Sequence, residues 1–339
     1  MRVLAALSGG VGSSVAAALL LDAGHEVVAV TMKLWGGAQD SGCCSVGDVE
    51  DARRVAQQLG IAHHVFNFAD DFETHVVGPY VSAHASGRTP NPCIECNRHL
   101  KFDRLLARAE QLGFDAVATG HHARISPGPA LRRGADVAKD QSYVLYSLTC
   151  GQLRRVLFPV GSFTKAEVRR RATTLGLRTA QKPESQDTCF ITASGGREQF
   201  LGARIGLHRG RIVDRTGAPL GDLPAIELVT VGQRRGLGGG GREPRYALGV
   251  DVAAGTVTVG SRDDLDTSAV AIEDASWVAG SAPAAGTEVT AQSSAHGAPR
   301  AAVWDDGTVR FMTPERRPAP GQAVVLYDGD VVLGGGTAR

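Results

Sequence analysis

The stretch Met1–Leu21, MRVLAALSGGVGSSVAAALLL, constrains the fold more than any other part of the chain. Arg2 to Leu7 is an apolar run of strand length. Ser8-Gly9-Gly10-Val11-Gly12-Ser13-Ser14 is a turn of glycines and hydroxyls, and Val15 to Leu21 continues apolar at helical length. Strand, glycine loop and helix N-terminus in that order suit a phosphate. The glycines let the backbone approach an anion, and first-turn N–H groups and the helix dipole face it. Leu7, Ser8, Gly9, Gly10, Val11, Gly12, Ser13 and Ser14 are therefore candidate nucleotide-binding residues, the serines adding hydroxyl donors. The loop is not a Walker A loop, because no Gly-Lys-Ser/Thr follows. Nor is it a GxGxxG dinucleotide turn.

His25 to Leu34 is a valine-rich run that reads as a second buried strand. One helix separates the two strands, so they should lie parallel. A ligand then sits beyond the C-terminal ends of the strands, where Ser8 to Gly12 and Met32 fall. Met32 could lie against an adenine ring or belong to the core. Asp48 to Leu59 is helical, with Val49, Ala52, Val55, Ala56 and Leu59 on one face. His63 to Phe68 is a third strand, Asp71 to Ala85 a helix, and Phe114 to Thr119 a fourth strand ending in Gly120-His121-His122. A helix is expected from about His99 to Leu112, another opening at Lys139-Asp140-Gln141-Ser142-Tyr143, and a third over Thr164 to Leu175 with a Thr164/Glu167 cap. From about residue 201 helical periodicity gives way to glycines and short β-type runs such as Gly210 to Asp214 and Gly255 to Gly260. The expected fold is an α/β N-terminal domain with a parallel sheet over 1–200, then two small, mostly β domains over 201–265 and 266–339.

The formal net charge is +1, so a nucleic-acid site would be a local patch and not a global property. No apolar run approaches the length of a membrane span and none reads as a signal peptide, so a cytoplasmic location is expected. The six cysteines, at 43, 44, 93, 96, 150 and 189, then suggest reactive or metal-binding thiols and not a disulfide scaffold. Cys93 and Cys96 form a CxxC after the stiff Gly87-Arg88-Thr89-Pro90-Asn91-Pro92 loop. A helix N-terminus and the nearby Arg98, His99 and Lys101 favour a thiolate there. Cys189 lies in Asp187-Thr188-Cys189-Phe190. Cys43 and Cys44 are adjacent and read as structural loop thiols.

The glycine loop resembles the PP-loop of ATPases that cleave between the α and β phosphates. Their pattern is Ser-Gly-Gly-x-Asp-Ser, and Gly12 stands here in place of the Asp. The whole chain resembles the tRNA-specific 2-thiouridylases. The likeness is carried by Thr89-Pro90-Asn91-Pro92-x-x-x-Cys96-Asn97, Ala118-Thr119-Gly120-His121, Lys139-Asp140-Gln141-Ser142-Tyr143, Asp187-x-Cys189-Phe190-Ile191, Gly232-Gln233-Arg234-Arg235-Gly236-Leu237 and Pro320-Gly321-Gln322. The resemblance implies an adenine-nucleotide α-hydrolase-like first domain, a C-terminal β-barrel, and ATP-dependent 2-thiolation of the wobble uridine of tRNA. It implies ATP and Mg²⁺ as cofactors and Cys96 and Cys189 as the catalytic pair. Cys189 would carry a persulfide, and Cys96 would release sulfide from it or close a disulfide after transfer. Gly120 would join the nucleotide site. Asn91, Pro92, Cys93, His121, Lys139, Asp140, Gln141 and Gln322 would meet RNA, alongside Arg98, Arg234 and Arg235. The partners implied are tRNA and a sulfur-donor protein, with the chain acting as a monomer.

Two readings stay open on the residues alone. Cys93, Cys96 and Cys189 could ligate a [4Fe-4S] cluster with one open iron, which would replace the persulfide route. Gly12, the neutral Gln292-Ser293-Ser294 where a basic run is usual, and Gly221 to Ala225 in place of Gly-x-His-x-Gly are consistent with an impaired homologue that binds tRNA or nucleotide. An AMP-forming PP-loop ligase is a third reading, but it gives Cys96 and Cys189 no task. Gly12 could also adopt a positive φ that Asp tolerates poorly.

Overall fold

The structure is a computed structural model that describes residues 1–35, 45–183, 188–191, 194–237 and 244–339. Cys43, Cys44 and Asp187 therefore lie outside the described residues.

Among the described residues, β1 (Arg2–Ala6), β2 (Glu26–Lys33), β3 (His63–Asn67), β4 (Ala116–Ala118) and β7 (Val156–Leu157) form one parallel sheet in the order β3-β2-β1-β4-β7. Their apolar runs are continuous because both faces of the sheet are covered. Val3, Ala5, Val27 and Ala29 pack with α1 (Val11–Asp22) and α2 (Val46–Gln58). Leu4, Val30 and Val117 face the other way, against Leu105, Leu106 and Ala109. The helix α1 is buried nearly all round, which explains its unbroken apolar sequence. The chain leaves β1 toward β2 on one side, and β4 enters on the other. The ends of β1 and β4 thus form the switch point of the sheet, where α/β folds place ligands.

The hairpin β5 (Ala123–Ser126) and β6 (Ala130–Arg133) leaves this domain and joins a sheet nearly two hundred residues away in sequence. That sheet contains β12 (Asp266–Trp277), β13 (Thr287–Gln292), β14 (Arg300–Asp305), β15 (Thr308–Arg316), β16 (Ala323–Asp328) and β17 (Val331–Ala338). Pairing of β12 with both β15 and β17 closes these six strands into a barrel. Val324 and Leu326 of β16 fill the barrel beside Val270, Val289 and Trp304. The alternate residues Ala323, Val325 and Tyr327 pack outward against Leu131, Tyr143 and Leu145 of the first domain. Between the two lies a smaller sheet of β8 (Gly210–Val213), β9 (Pro219–Leu223), β10 (Tyr246–Asp251) and β11 (Thr256–Gly260), closed over Ile212, Ile226 and Val257.

Two local expectations are corrected. Lys139–Tyr143 does not open a helix; Val137–Lys139 and Ser142–Leu145 are short 3₁₀ turns. The Asp140 carboxylate accepts from the N–H groups of Gly134 and Ser142, so the chain wraps around that side chain instead. The Cys96 helix begins at Pro92 and not near His99. Asn91 caps it and Pro92 occupies its first turn, where a missing N–H costs nothing. The Thr164/Glu167 capping box is formed as expected.

Candidate active site

At the end of β1 the main chain is held tightly. Leu7 donates to the Val30 carbonyl at 2.8 Å and accepts from the Thr31 hydroxyl at 2.8 Å. Thr31 is in turn 2.8 Å from His63 Nε2. Gly9 takes a left-handed φ of +69°, and any Cβ there would fall on the Asp48 main chain. Glycine is thus required twice over, for conformation and for the close approach of α2. Gly10 caps α1 with no side-chain acceptor, and the first turn holds no acidic residue. First-turn N–H groups of such a helix suit an anion.

The three serines divide their work. Ser8 is exposed beside the loop, with its hydroxyl 3.3 Å from that of Ser13. Ser13 and Ser14 are buried and donate to the Gly10 carbonyl at 3.0 and 2.9 Å. Ser14 also accepts from Thr179 at 3.0 Å. These two hydroxyls brace the loop from within.

Gly12 lies inside α1 with an ordinary helical φ, so the expected risk of a positive φ does not arise. Its neighbour across the switch point is Gly120. A Cβ on Gly12 would stand 3.1 Å from the Gly120 carbonyl, and a Cβ on Gly120 would fall on the Ser13 N–H. The two glycines let the ends of β1 and β4 touch. Met32 at the end of β2 is half-buried between two apolar clusters.

The thiols share an apolar cluster with Met32. Cys96 is 7% exposed and packs with Phe72, Val76, Tyr80 and Phe190; Cys189 packs against the same cluster. Two cysteines separated by most of a hundred residues therefore share one apolar, aromatic-lined site. Edge-on ring contacts of Phe190 with Phe72 at 5.6 Å and Tyr80 at 5.4 Å fix the Cys189 segment there. Above the cluster, Glu95 receives His99 at 3.2 Å and Arg98 at 3.6 Å. Asn97 is buried and donates to the Val144 carbonyl at 3.0 Å. The helix turns π-helical over Cys96–Arg104, a local widening that recurs at functional sites. Among the described residues no group of three or more His, Cys, Asp and Glu side chains is placed to hold a metal ion. No disulfide is formed among them.

Ion pairs that the sequence reading missed hold the chain ahead of Cys189 to α2, beside the glycine loop. Lys182, seven residues before Cys189, lies 2.7 Å from both Asp48 and Asp51 on α2, and Arg178 pairs with Asp51 at 3.1 Å. Burial works against the Lys182 ammonium, but the two carboxylates outweigh it and raise its pKa. Burial likewise works against the Asp51 carboxylate, and Lys182 and Arg178 overcome it and lower its pKa. Asp48 and Asp51 sit three apart on one helix face, a spacing that could have signalled a shared cation.

The residues that the resemblance gives to RNA fall into two groups. Lys139, Arg234 and Arg235 are exposed. Asn91, Pro92 and Cys93 open the thiol helix, and the Asn91 side chain accepts from the Cys93 N–H at 3.0 Å. His121, Asp140 and Gln141 are engaged within the protein. His121 is buried between Phe102 and Phe158 and bonds the Thr119 hydroxyl at 2.7 Å. Burial holds its pKa well below the ordinary value, with Lys101 and His122 adding to the effect. Asp140 pairs with Arg133 at 3.0 Å, and Gln141 Oε1 accepts from the His122 N–H at 2.9 Å. Gln322 donates to the Thr89 carbonyl. In this structure these four side chains bond within the protein, Gln141 while remaining exposed. The neutral Gln292 has a task of its own: it is buried and accepts from Arg133 at 2.9 Å.

A glycine loop at a switch point, a parallel sheet and two β appendages define a nucleotide-binding α/β protein with barrel extensions. Family models agree, matching a "tRNA methyl transferase HUP domain" over residues 1–193, a PRC-barrel domain over 198–261 and an aminomethyltransferase β-barrel domain over 267–338. The chain is 48% identical to the tRNA-specific 2-thiouridylase of Mycobacteroides abscessus, over 98% of each chain. It is also 48% identical to that of Mycolicibacterium vanbaalenii, over 99% of each. The chain belongs to the tRNA-specific 2-thiouridylase family.

Proposed function

We propose that the protein catalyses ATP-dependent 2-thiolation of the wobble uridine of tRNA, as a tRNA-uridine 2-sulfurtransferase. The observation that carries this reading is the convergence of Cys96 and Cys189 on one cluster beside a PP-loop-like nucleotide site. A uracil carbonyl is a poor electrophile, because its oxygen has no way to leave. Attack of O2 on the α-phosphorus of ATP expels pyrophosphate and leaves that oxygen bound to AMP. The terminal sulfur of a Cys189 persulfide then attacks C2, and AMP departs with the oxygen. If Cys96 thiolate next attacks Cys189 Sγ, the S–S bond to the nucleoside breaks, 2-thiouridine is released and a Cys96–Cys189 disulfide remains for an external thiol to reduce. If Cys96 attacks earlier, sulfide is set free within the site and becomes the nucleophile. The base must leave the anticodon stack to reach the half-buried Cys189 thiol.

In this proposal Leu7 to Ser14, Met32 and Gly120 form the ATP site, and Mg²⁺ bound with the nucleotide neutralises phosphate charge. Lys139, Arg234 and Arg235 meet the RNA. The sulfur is carried as a persulfide in this proposal, and a [4Fe-4S] cluster on Cys93, Cys96 and Cys189 is the rival route. A sulfurtransferase or cysteine desulfurase supplies the persulfide sulfur, and the protein works as a monomer built of units 1–200, 201–265 and 266–339. No described helix is long and apolar enough to cross a membrane, in keeping with a cytoplasmic enzyme. The test is mass spectrometry of tRNA nucleosides after incubation with ATP, Mg²⁺ and a sulfide source. Appearance of 2-thiouridine only when ATP is present supports the assignment, and its absence overturns it.

A further inference from the structure

The segment leading into the thiol helix is the meeting point of all three parts of the chain. Gly87 turns with φ of +73°, and a Cβ there would stand 3.1 Å from Val250 of the central domain. The Arg88 guanidinium pairs with Glu273 on β12, which also holds Arg339 at 3.0 Å. The Thr89 main chain is gripped on both sides by the barrel. Its N–H donates to the Pro320 carbonyl at 2.8 Å, and its own carbonyl accepts from Gln322 Nε2. The Thr89 hydroxyl donates to Thr230 of the central domain at 3.2 Å. Gly321, with φ of +93°, makes room for this, because a Cβ there would lie 3.0 Å from the Thr89 nitrogen.

From Thr89 the chain runs through Pro90, Asn91 and Pro92 directly into the first turn that presents Cys93 and Cys96. Two prolines fix φ in this short lever, and the Asn91 cap locks its far end. A displacement at Thr89 has little freedom in which to dissipate before it reaches Cys96.

We infer that Gln322 and Glu273 of the C-terminal barrel are positioning residues for the Cys96 thiol, acting through the Arg88–Thr89 strap. The inference rests on the reading of Cys96 as a reacting thiol. It gives the barrel a part in sulfur transfer beyond any contact with RNA, and it gives Gln322 a different task from the RNA contact that the resemblance implies.

The experiment uses the full-length protein with Gln322→Glu, which keeps the shape but removes the donor to Thr89, and Gln322→Lys, which restores one. Two quantities are read: kcat against KM for tRNA in thiolation, and the rate of Cys96 alkylation by iodoacetamide across pH, followed by peptide mass spectrometry without tRNA. Gln322→Glu should lower kcat about tenfold or more while leaving KM for tRNA within about twofold, as misplacement of a reacting group does. It should also change the Cys96 alkylation rate about threefold or more, and Gln322→Lys should recover most of both. A raised KM with kcat and Cys96 alkylation unchanged would make Gln322 an RNA contact and overturn the inference. If Gln322→Glu does not fold, Glu273→Gln tests the other grip, and unchanged Cys96 alkylation there overturns the inference equally. A wild-type protein that makes no 2-thiouridine, yet shows the alkylation change in Gln322→Glu, would remove the functional reading and leave the strap standing.

Discussion

The nucleotide loop and the thiol site are built on opposite principles. The loop is locked from within its own domain: Leu7 by Val30 and Thr31, Ser13 and Ser14 by the Gly10 carbonyl, Gly9 by α2. The thiol helix is set from outside, through a strap held by the barrel and the central domain. Lys182 is paired with α2, and the Cys189 segment is pinned by the rings around Phe190. The difference suits the two half-reactions. Adenylation needs a preorganised anion site, the same in every turnover. Sulfur delivery needs two thiols that change partners, so its parts meet at a junction where they can be adjusted.

The largest effect should come from the thiols. Cys96→Ser and Cys189→Ser should each abolish 2-thiouridine formation while ATP-dependent pyrophosphate release and tRNA binding persist, because neither side chain is part of the nucleotide loop. Nucleoside mass spectrometry and a filter-binding assay would check both. Full activity of either variant with a persulfide donor would end the two-cysteine mechanism and the contrast drawn from it.

Next comes Gly12, where the loop lacks a carboxylate usual in PP-loops. A charged contact used mainly as pyrophosphate departs is worth about 3 kcal/mol, or about a hundredfold in rate. Gly12→Asp should raise the adenylation rate toward that factor with little change in the KM for ATP. The helical φ accepts Asp, but the 3.1 Å approach to the Gly120 carbonyl should cost about 1–3 kcal/mol of stability, visible as a lower Tm. Equal pyrophosphate release at saturating tRNA in both proteins would mean that another group already fills the role. The impaired-homologue reading would then lose its main support.

The Lys182 ion pairs rank third. Lys182→Met leaves Asp48 and Asp51 facing each other, partly buried and without their shared cation. The loss should fall between that of an exposed and a buried pair, about 1–3 kcal/mol in urea unfolding. If these pairs couple the two regions, ATP should also cease to alter the alkylation rate of Cys189 in this variant. An unchanged ATP effect would show that the two regions communicate by another path.

What the sequence disclosed follows the same divide. The strand–loop–helix was legible because its period, glycines and length are all local. The Thr164/Glu167 cap and the strands near Gly210 and Gly255 were visible for that reason too. The junction was not. Nothing within Ala123 to Arg133 shows that these short strands extend a barrel built from residues beyond 266. Asp140 looked like one polar residue in a helical run, whereas its carboxylate organises two turns and holds Arg133. Two prolines made residues 87–92 read as a plain loop, yet Pro92 begins the helix that carries Cys96. The candidate site residues were proposed from motifs, but the partners that position them are long-range and leave no periodic trace.

The smallest expected effect concerns His121, which follows Gly120 after the end of β4. Its ring is buried, and burial together with Lys101 and His122 holds its pKa well below the ordinary 6.5. The folded protein therefore keeps His121 neutral, while the unfolded chain takes up a proton once the pH falls below about 6.5. The stability that depends on this group is complete above that pH and declines as the pH drops toward the folded value. The slope is about 1.4 kcal/mol per pH unit in that window. His121→Gln can still bond the Thr119 hydroxyl but has nothing to protonate. Between about pH 7.5 and about pH 5.5, wild type should lose about 1.4 kcal/mol more than His121→Gln, because His63 and His84 titrate alike in both proteins. Urea unfolding at the two pH values reads the difference directly. Identical slopes would place His121 in contact with solvent, and the Gly120–His122 turn would then belong with the adjustable thiol side of the molecule and not with the locked nucleotide side.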